Sequence, residues 1–177
     1  VESVKESVRE IRGVIESASS TSVPGRNNNL NGYGIEGRKD ESYLLQSGWV
    51  DPDFIDTYEM TLVSGRNFDR SFTSDKDACI INESAAKNFG INDISNTRFM
   101  LPQDSGKFQY LQIIGIVKNF NFESLRNPIQ PHIFLSKGEF NNWGYVSVRL
   151  SAQNYSQTIS EIEKRWKDFT SNDPLQY

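Results

Sequence analysis

Residues 115–131 read GIVKNFNFESLRNPIQP. They follow directly on the apolar pair Ile113-Ile114, and Tyr110 to Val117 is the clearest strand signal in the chain. Beyond it come Phe120, Phe122, an acid, a base and two prolines, an unusual content for a connector. Three readings are open: a catalytic loop, a docking surface, or buried structure between two strands. Ile114, Ile116, Phe120 and Phe122 share a parity, so an extended chain points them one way; Lys118 breaks the row. Asn121 is placed to cap one helical turn over 122–126, and Pro128 disfavours helix at Asn127 and ends it. The spacing therefore predicts strand, turn and a return strand over His132 to Leu135, with Ile114, Ile116, Phe120 and Leu125 buried. Lys118, Glu123 and Arg126 are expected exposed, Glu123 and Arg126 as a local i, i+3 ion pair. The docking reading adds Asn119, Asn121 and Phe122 to these three as candidate partner contacts.

Working outward, Val4, Val8, Ile11 and Ile15 form a stripe of helical period, which predicts a helix over residues 1–17. Ser19 to Asn29 has no periodicity, and Pro24-Gly25 marks a turn. Strands are expected at Leu30 to Gly37 and Tyr43 to Val50, joined by the polar turn Arg38-Lys39-Asp40-Glu41. Asp51-Pro52-Asp53 reads as a helix start, with Asp51 as cap and Pro52 at the first helical position. Phe54 and Tyr58 fall on one face of that helix. Thr61 to Val63 is extended, and Ser64 to Asn67 turns. Ala78 to Ile81 reads as a short buried strand. Asn82 and Gly90 bracket a helix through Phe89. Residues 91–107 read mostly as loop. Tyr145 to Leu150 alternates as a strand. Asn154 or Ser156 opens a last helix, with Ile159, Ile162, Trp166 and Phe169 on one stripe. The class is α+β with helices at both ends.

Composition narrows the chemistry. A net charge of −4 argues against a nucleic-acid footprint. No apolar run reaches the ~20 residues of a membrane span. One cysteine, Cys79, and one histidine, His132, supply neither a disulfide nor a zinc site. His132 without a GxSxG elbow gives no hydrolase triad. Gly32-Tyr33-Gly34-Ile35-Glu36-Gly37 matches GxGxxG, but no apolar strand precedes it and no helix pattern follows, so it reads as a glycine-rich edge strand. Asp51/Asp53 reads as helix capping and Asp75/Asp77 as a solvated turn, without the spaced oxygen ligands of a calcium loop. No catalytic, cofactor-binding or metal-binding residues are expected.

Three blocks carry a family resemblance. Val50-Asp51-Pro52-Asp53-Phe54 through Val63-Ser64-Gly65-Arg66-Asn67-Phe68 is the first. Ile80-Ile81-Asn82-Glu83-Ser84-Ala85-Ala86-Lys87 with Phe89-Gly90 is the second. Ile114-Gly115-Ile116-Val117-Lys118-Asn119-Phe120-Asn121-Phe122-Glu123-Ser124-Leu125-Arg126, with Pro128 and Pro131, is the third. Their order and spacing resemble MacB-like periplasmic core domains of ABC transporter permeases with an FtsX-like membrane module, in the Bacteroidetes style, over about residues 45–170. The resemblance implies a domain set between two membrane helices. Residues 1–74 plus 143–177 would form a porter-like α/β lobe, with a stalk helix at about 1–17 and a return helix at about 156–170. Residues 75–142 would form an inserted, smaller, β-rich sabre-like lobe. It also implies an inner-membrane protein with this segment on the periplasmic side, without catalysis or cofactor. The implied partners are a cytoplasmic ATPase subunit reached through the membrane helices, a second permease copy, and a periplasmic substrate or partner protein. The implied role is to transmit ATP-driven motion. A free-standing periplasmic module for a peptide or small ligand is the alternative; it requires a deep apolar pocket.

Overall fold

A computed structural model describes residues 2–26, 29–38, 41–124, 126–136 and 144–169. The expected burial of Leu125, the lobe boundary at 142–143, the end of the return helix at 170, and Lys39 and Asp40 of the polar turn lie outside these residues. The elements run α1 (Glu2–Arg9), β1 (Val14–Ser20), β2 (Asn29–Ile35), β3 (Tyr43–Val50), α2 (Phe54–Thr57), β4 (Leu62–Gly65), β5 (Ala78–Asn82), α3 (Glu83–Asn88), β6 (Arg98–Pro102), β7 (Phe108–Val117), β8 (His132–Ser136), β9 (Tyr145–Leu150) and α4 (Tyr155–Lys167). The α+β class read from the sequence is borne out.

Six of the strands pair in a closed circuit, β2–β6–β7–β5–β8–β3 and back to β2. The β3–β8 and β5–β7 steps are parallel and the others antiparallel. Closure removes free edges. β2 is accordingly paired on both sides, to β3 through 29–33 and to β6 through Gly34 and Ile35. This corrects the edge-strand expectation for the GxGxxG segment, whose Gly34 instead makes room for the Met100 side chain. Strand period puts odd-numbered residues inside the ring: Tyr33, Ile35, Leu45, Cys79, Ile81, Phe99, Leu111, Ile113, Ile133 and Leu135 form its core, with Ala85 of α3 and Phe89 at its end. The circuit mixes β2 and β3 from the first 74 residues with β5 to β8 from residues 75–142.

A second core lies outside the ring. Val50, Ala78, Ile80, Val117 and Phe134 project into it and are covered by Phe54 and Ile55 of α2, by Phe68 and by Phe122. β5 is buried on both faces, so its sequence Ala-Cys-Ile-Ile-Asn shows no alternation. β4 pairs with β7. β1 joins β3 through the Ser20–Val50 partners and carries β9 along its other side. A third cluster joins Val8 and Ile11 to Ile162, with Val14, Val148 and Leu150 packed against it. It lays α1 and α4 side by side on the β1–β9 face.

Several expectations need correction. The first helix is Glu2–Arg9, not 1–17. Gly13 reverses the chain at φ +100°, Thr158 occupies the space a side chain would need, and residues 14–20 pair with β9 instead. Ile15, expected on the helix stripe, is exposed. Residues 91–107 contain β6, which contributes Phe99 to the ring core. Ser64 and Gly65, expected in a turn, complete β4. Ile114 and Ile116 do not face one way, because β7 carries one extra residue opposite the Cys79–Ile80 step. Ile114 therefore packs on the outer core and Ile116 on the ring core, each half-buried. Asp75 is buried rather than solvated, held by both arms of Arg66 at 2.8 and 2.6 Å and by the Asp69 amide at 2.9 Å.

Candidate functional site

The strongest concentration of charge couples α1 to the ring. Lys5, on the inner face of α1, has a side chain with no solvent exposure. Its Nζ donates to Asp51 Oδ2 at 2.6 Å and to Asp53 Oδ2 at 2.9 Å. Glu2 Oε1 lies 3.0 Å from the same nitrogen. An ammonium buried this way is tolerable only when its donors are matched by acceptors. Burial pulls the Lys5 pKa down, but its hydrogen bonds to Asp51, Asp53 and Glu2 outweigh this and leave it raised.

Asp51 closes β3, and its carboxylate also accepts from the Ser19 amide at 2.8 Å, the Ser19 hydroxyl at 3.0 Å and the Asp53 amide at 3.1 Å. It therefore fixes three elements at once: α1, β1 and the start of α2. The expected helix-capping role belongs only to its neighbourhood, since α2 begins at Phe54 and its flanking Asp53 makes no side-chain cap. Asp53 instead takes Arg70 at 3.0 and 2.6 Å and lies 3.1 Å from Arg9. Burial pushes the Asp53 carboxyl up, but Arg70 and Lys5 together hold it well below the usual carboxylate range.

α4 is tied to the same helix. Arg165 donates to the Ser7 hydroxyl at 3.0 Å, and the Thr158 hydroxyl donates to the Arg12 carbonyl at 3.2 Å. Ser7 opposite Arg165 and Arg12 opposite Thr158 make the helices antiparallel, so the start of α1 and the end of α4 leave the fold together. Among the described residues, no helix is long and apolar enough to cross a membrane.

Residues 118–124 and 126–131 form a flap over β8. Phe120 and Phe122 pack on His132 and Phe134, with ring centroids 4.6–6.5 Å apart. Asn82 anchors its far end. The Asn82 Oδ1 accepts from the Ala85 amide at 2.9 Å, capping α3, and from the His132 amide at 3.0 Å, while Nδ2 donates to the Gln130 carbonyl at 2.8 Å. At the near end the Lys118 amide donates to Thr61 O, and the Asn119 amide to Glu83 Oε2, both at 2.8 Å.

Of the six candidate contact residues, Lys118, Asn119, Asn121 and Arg126 are exposed. Phe122 is not available, being 5% exposed in the outer core. Glu123 is half-buried, accepting from Gln46 at 2.5 Å and Asn127 at 3.2 Å rather than standing exposed. Of the expected helical turn at 122–126, residues 122–124 are not helical, and the Asn127 amide donates to the Ser124 carbonyl at 2.9 Å. The cavity under the flap, bounded by Gln46, Phe122 and His132, holds about 10 Å³, room for one water at most.

Among the described residues, neither His132 nor Cys79 has a catalytic partner in hydrogen-bonding position. The His132 ring contacts are three phenylalanines, and burial pushes its pKa down to about 3. Burial in the ring core pushes the Cys79 thiol far up, which keeps it protonated and unreactive. Sequence reasoning missed Lys5. Its signal was a lysine at the edge of the α1 apolar stripe, one residue after Val4 and three before Val8.

Comparison with known proteins places this geometry. A comparison with curated proteins finds no significant match. Solved structures share the fold. One is the periplasmic region of MacB from Actinobacillus actinomycetemcomitans, with a TM-score of 0.69 at 11% identity, covering 95% of this chain and 73% of that one. Another is the extracellular domain of the noncanonic ABC-type transporter YknZ from Gram-positive bacteria, at 0.68 and 18%, covering 98% and 85%. A third, described as a permease-protein domain from Porphyromonas gingivalis, scores 0.67 at 21%, covering 94% and 69%. The MacB-like periplasmic core domain family matches residues 1–165, which bears out the resemblance carried by the three sequence blocks, and the chain belongs to that family.

Proposed function

We propose that this domain is the extracytoplasmic part of an ABC transporter permease and that it transmits ATP-driven movement of membrane helices to a substrate or partner protein outside the cytoplasm. The observation that carries the reading is the antiparallel pair of α1 and α4, fastened to the ring by the buried Lys5–Asp51–Asp53 joint. A transmitting element must not yield where it enters the domain. A helix held only by surface contacts would rotate or fray; one locked by a buried ion pair and an apolar seam carries its displacement into the sheet.

In this reading residues 1–74 with 143–177 form the lobe that bears the helices, and 75–142 form the inserted lobe. Pairing of β3 with β8 and of β4 with β7 supports movement of the two as one body. The partners are a cytoplasmic ATPase, reached through membrane helices flanking this segment, and a second permease copy. The protein resides in the inner membrane with this segment on the periplasmic side. Lys118, Asn119, Asn121 and Arg126 are the exposed side chains of the flap offered to a periplasmic partner. The domain itself performs no catalysis.

The test is purification of the full-length gene product from membranes. The proposal expects an ATPase subunit to co-purify, and an exposed Asn121→Cys to be labelled by an impermeant maleimide added to the periplasmic side. Labelling only after the inner membrane is broken, with no ATPase recovered, refutes it.

A further inference from the structure

His132 is the only histidine in the chain, and it is 2% exposed. Its ring lies between Phe120, Phe122 and Phe134, at centroid distances of 5.5, 4.6 and 4.6 Å. Nε2 is buried with no hydrogen-bond partner among the described residues. The ring lies against β3: a carbon added at Gly48 would stand 2.6 Å from the Ser22 hydroxyl and 4.0 Å from this nitrogen. A neutral imidazole is tolerated there, whereas an imidazolium, boxed by three phenylalanines, finds no acceptor for its Nε2 proton among the described residues.

We propose that residues 118–124 form an acid-released flap: protonation of His132 lifts them from β8 and uncovers Phe120, Phe122 and Phe134 as an apolar surface. The flap is fastened at points that can part without breaking the ring. Those fastenings are Gly25 N on Phe122 O at 2.9 Å, Lys118 N on Thr61 O and Asn119 N on Glu83 Oε2, both at 2.8 Å, Ser84 N on Asn119 Oδ1 at 2.9 Å, and the Gln46–Glu123 contact. The charged groups on the surrounding elements are Lys118 and Glu123 of the flap, Arg126 beyond it, Glu83 of α3, Glu59 after α2 and Arg26 of the turn beside Phe122. From β3, β5 and β8 the facing polar groups are the uncharged Gln46 and Asn82. Glu123 is the one whose charge favours the protonated ring, and burial overrides it. Glu83 is occupied by the Asn119 amide.

The direction follows from linkage. The closed flap holds His132 near pKa 3, while a solvated imidazole has an ordinary value of about 6.5. The closed state is therefore fully favoured above about 6.5 and loses ground as pH falls towards the closed-state value. The opening constant rises roughly tenfold per pH unit in that window, or about 30-fold between pH 7.5 and 5. Carboxylates stay largely ionised above about pH 5, so the single histidine dominates the interval. The inference goes beyond the transport reading and stands if that reading fails.

Hydrogen exchange read by mass spectrometry, corrected for intrinsic rates, tests it on this chain at pH 7.5 and 5. Peptides covering 118–124 should show an opening constant about 30-fold larger at pH 5, with β5 and β7 protection unchanged. His132→Phe and His132→Asn should abolish the difference. A rise below threefold, the same rise in both variants, or equal loss of protection in β5 and β7 overturns the flap. If neither variant folds, NMR of the unmodified protein decides: an imidazole titrating near pH 6.5 with the flap closed refutes the proposal, and one that stays neutral to pH 5 in the closed form supports it.

Discussion

Replacing Lys5 with methionine tests the joint between α1 and the ring. Methionine keeps most of the volume and apolar stem, so the change removes the charge and three donors with little cavity. Asp51, 7% exposed at its side chain, then loses its only ion-pair partner among the described residues. Removing one member of a buried pair costs about 3–5 kcal/mol, because the other charge stays buried. Here the loss falls at the lower end, about 3 kcal/mol, since Asp51 keeps Ser19 and the Asp53 amide and Asp53 keeps Arg70 and Arg9. Against the ~5–15 kcal/mol that holds a domain folded, this is a large share. It translates into roughly 6–12 °C in Tm at about 2–4 °C per kcal/mol. Urea unfolding at pH 7 measures it, with the slope unchanged if the folded state stays intact. Lys5→Met combined with Asp51→Asn should recover part of the loss, because the stranded charge is gone. Glu2→Gln, at an exposed position of the same cluster, should fall within about 0.5 kcal/mol of the parent protein. A Lys5→Met loss under 1 kcal/mol would refute the argument that this ion pair fixes α1.

Three further outcomes follow from the same contacts. Asn82→Ala removes the α3 cap and strands the buried His132 amide, so it should cost about 2–4 kcal/mol in urea, summing ~1 for the cap and ~1–3 for the amide. Gly65→Ala should destabilise by at least about 2 kcal/mol, or displace β4 from β7, because Gly65 has φ +75° and an added carbon would lie 2.1 Å from the Ile114 carbonyl oxygen; a near-neutral result would be inconsistent with this packing. Asp53 has a depressed pKa in the fold, so its stabilisation is present above about pH 4 and is lost as pH falls further. Arg70→Ala should cost up to about 1 kcal/mol at pH 7 and flatten the acid dependence of the urea midpoint between pH 4 and 2.5; an unchanged slope would contradict the assignment.

Much of the sheet was legible because its strands are short apolar or alternating runs bounded by polar turns. Tyr43 to Val50, Ala78 to Ile81, Tyr110 to Val117, His132 to Leu135 and Tyr145 to Leu150 are all strands, and Asn82 with Gly90 brackets α3 as its spacing requires. The failures have physical causes. The apolar stripe of α1 continues in register to Ile15, but pairing with β9 outweighs helical periodicity in so short a segment. β6 has five residues between polar stretches, and only Phe99 and its partners across the ring reveal it. The extra residue at Ile114 is invisible to a parity argument, since it is set by the partner strand. Of the joint, Asp51 and Asp53 stood out in the sequence, yet their use did not. The lysine that they hold lies 46 and 48 residues away, a distance that local pattern cannot bridge.

Spin labels on the full-length protein in lipid nanodiscs with its ATPase put the central claim to the test. Labels at Glu6 on α1 and Asn88 at the end of α3, both exposed positions, report the joint within one copy; Asn88 paired with Asn88 of a second copy reports movement between domains. The account predicts that ATP shifts the distance between copies while the Glu6–Asn88 distance stays fixed. An inter-copy distance indifferent to ATP, or a Glu6–Asn88 distance that changes as much as the inter-copy one, would contradict it.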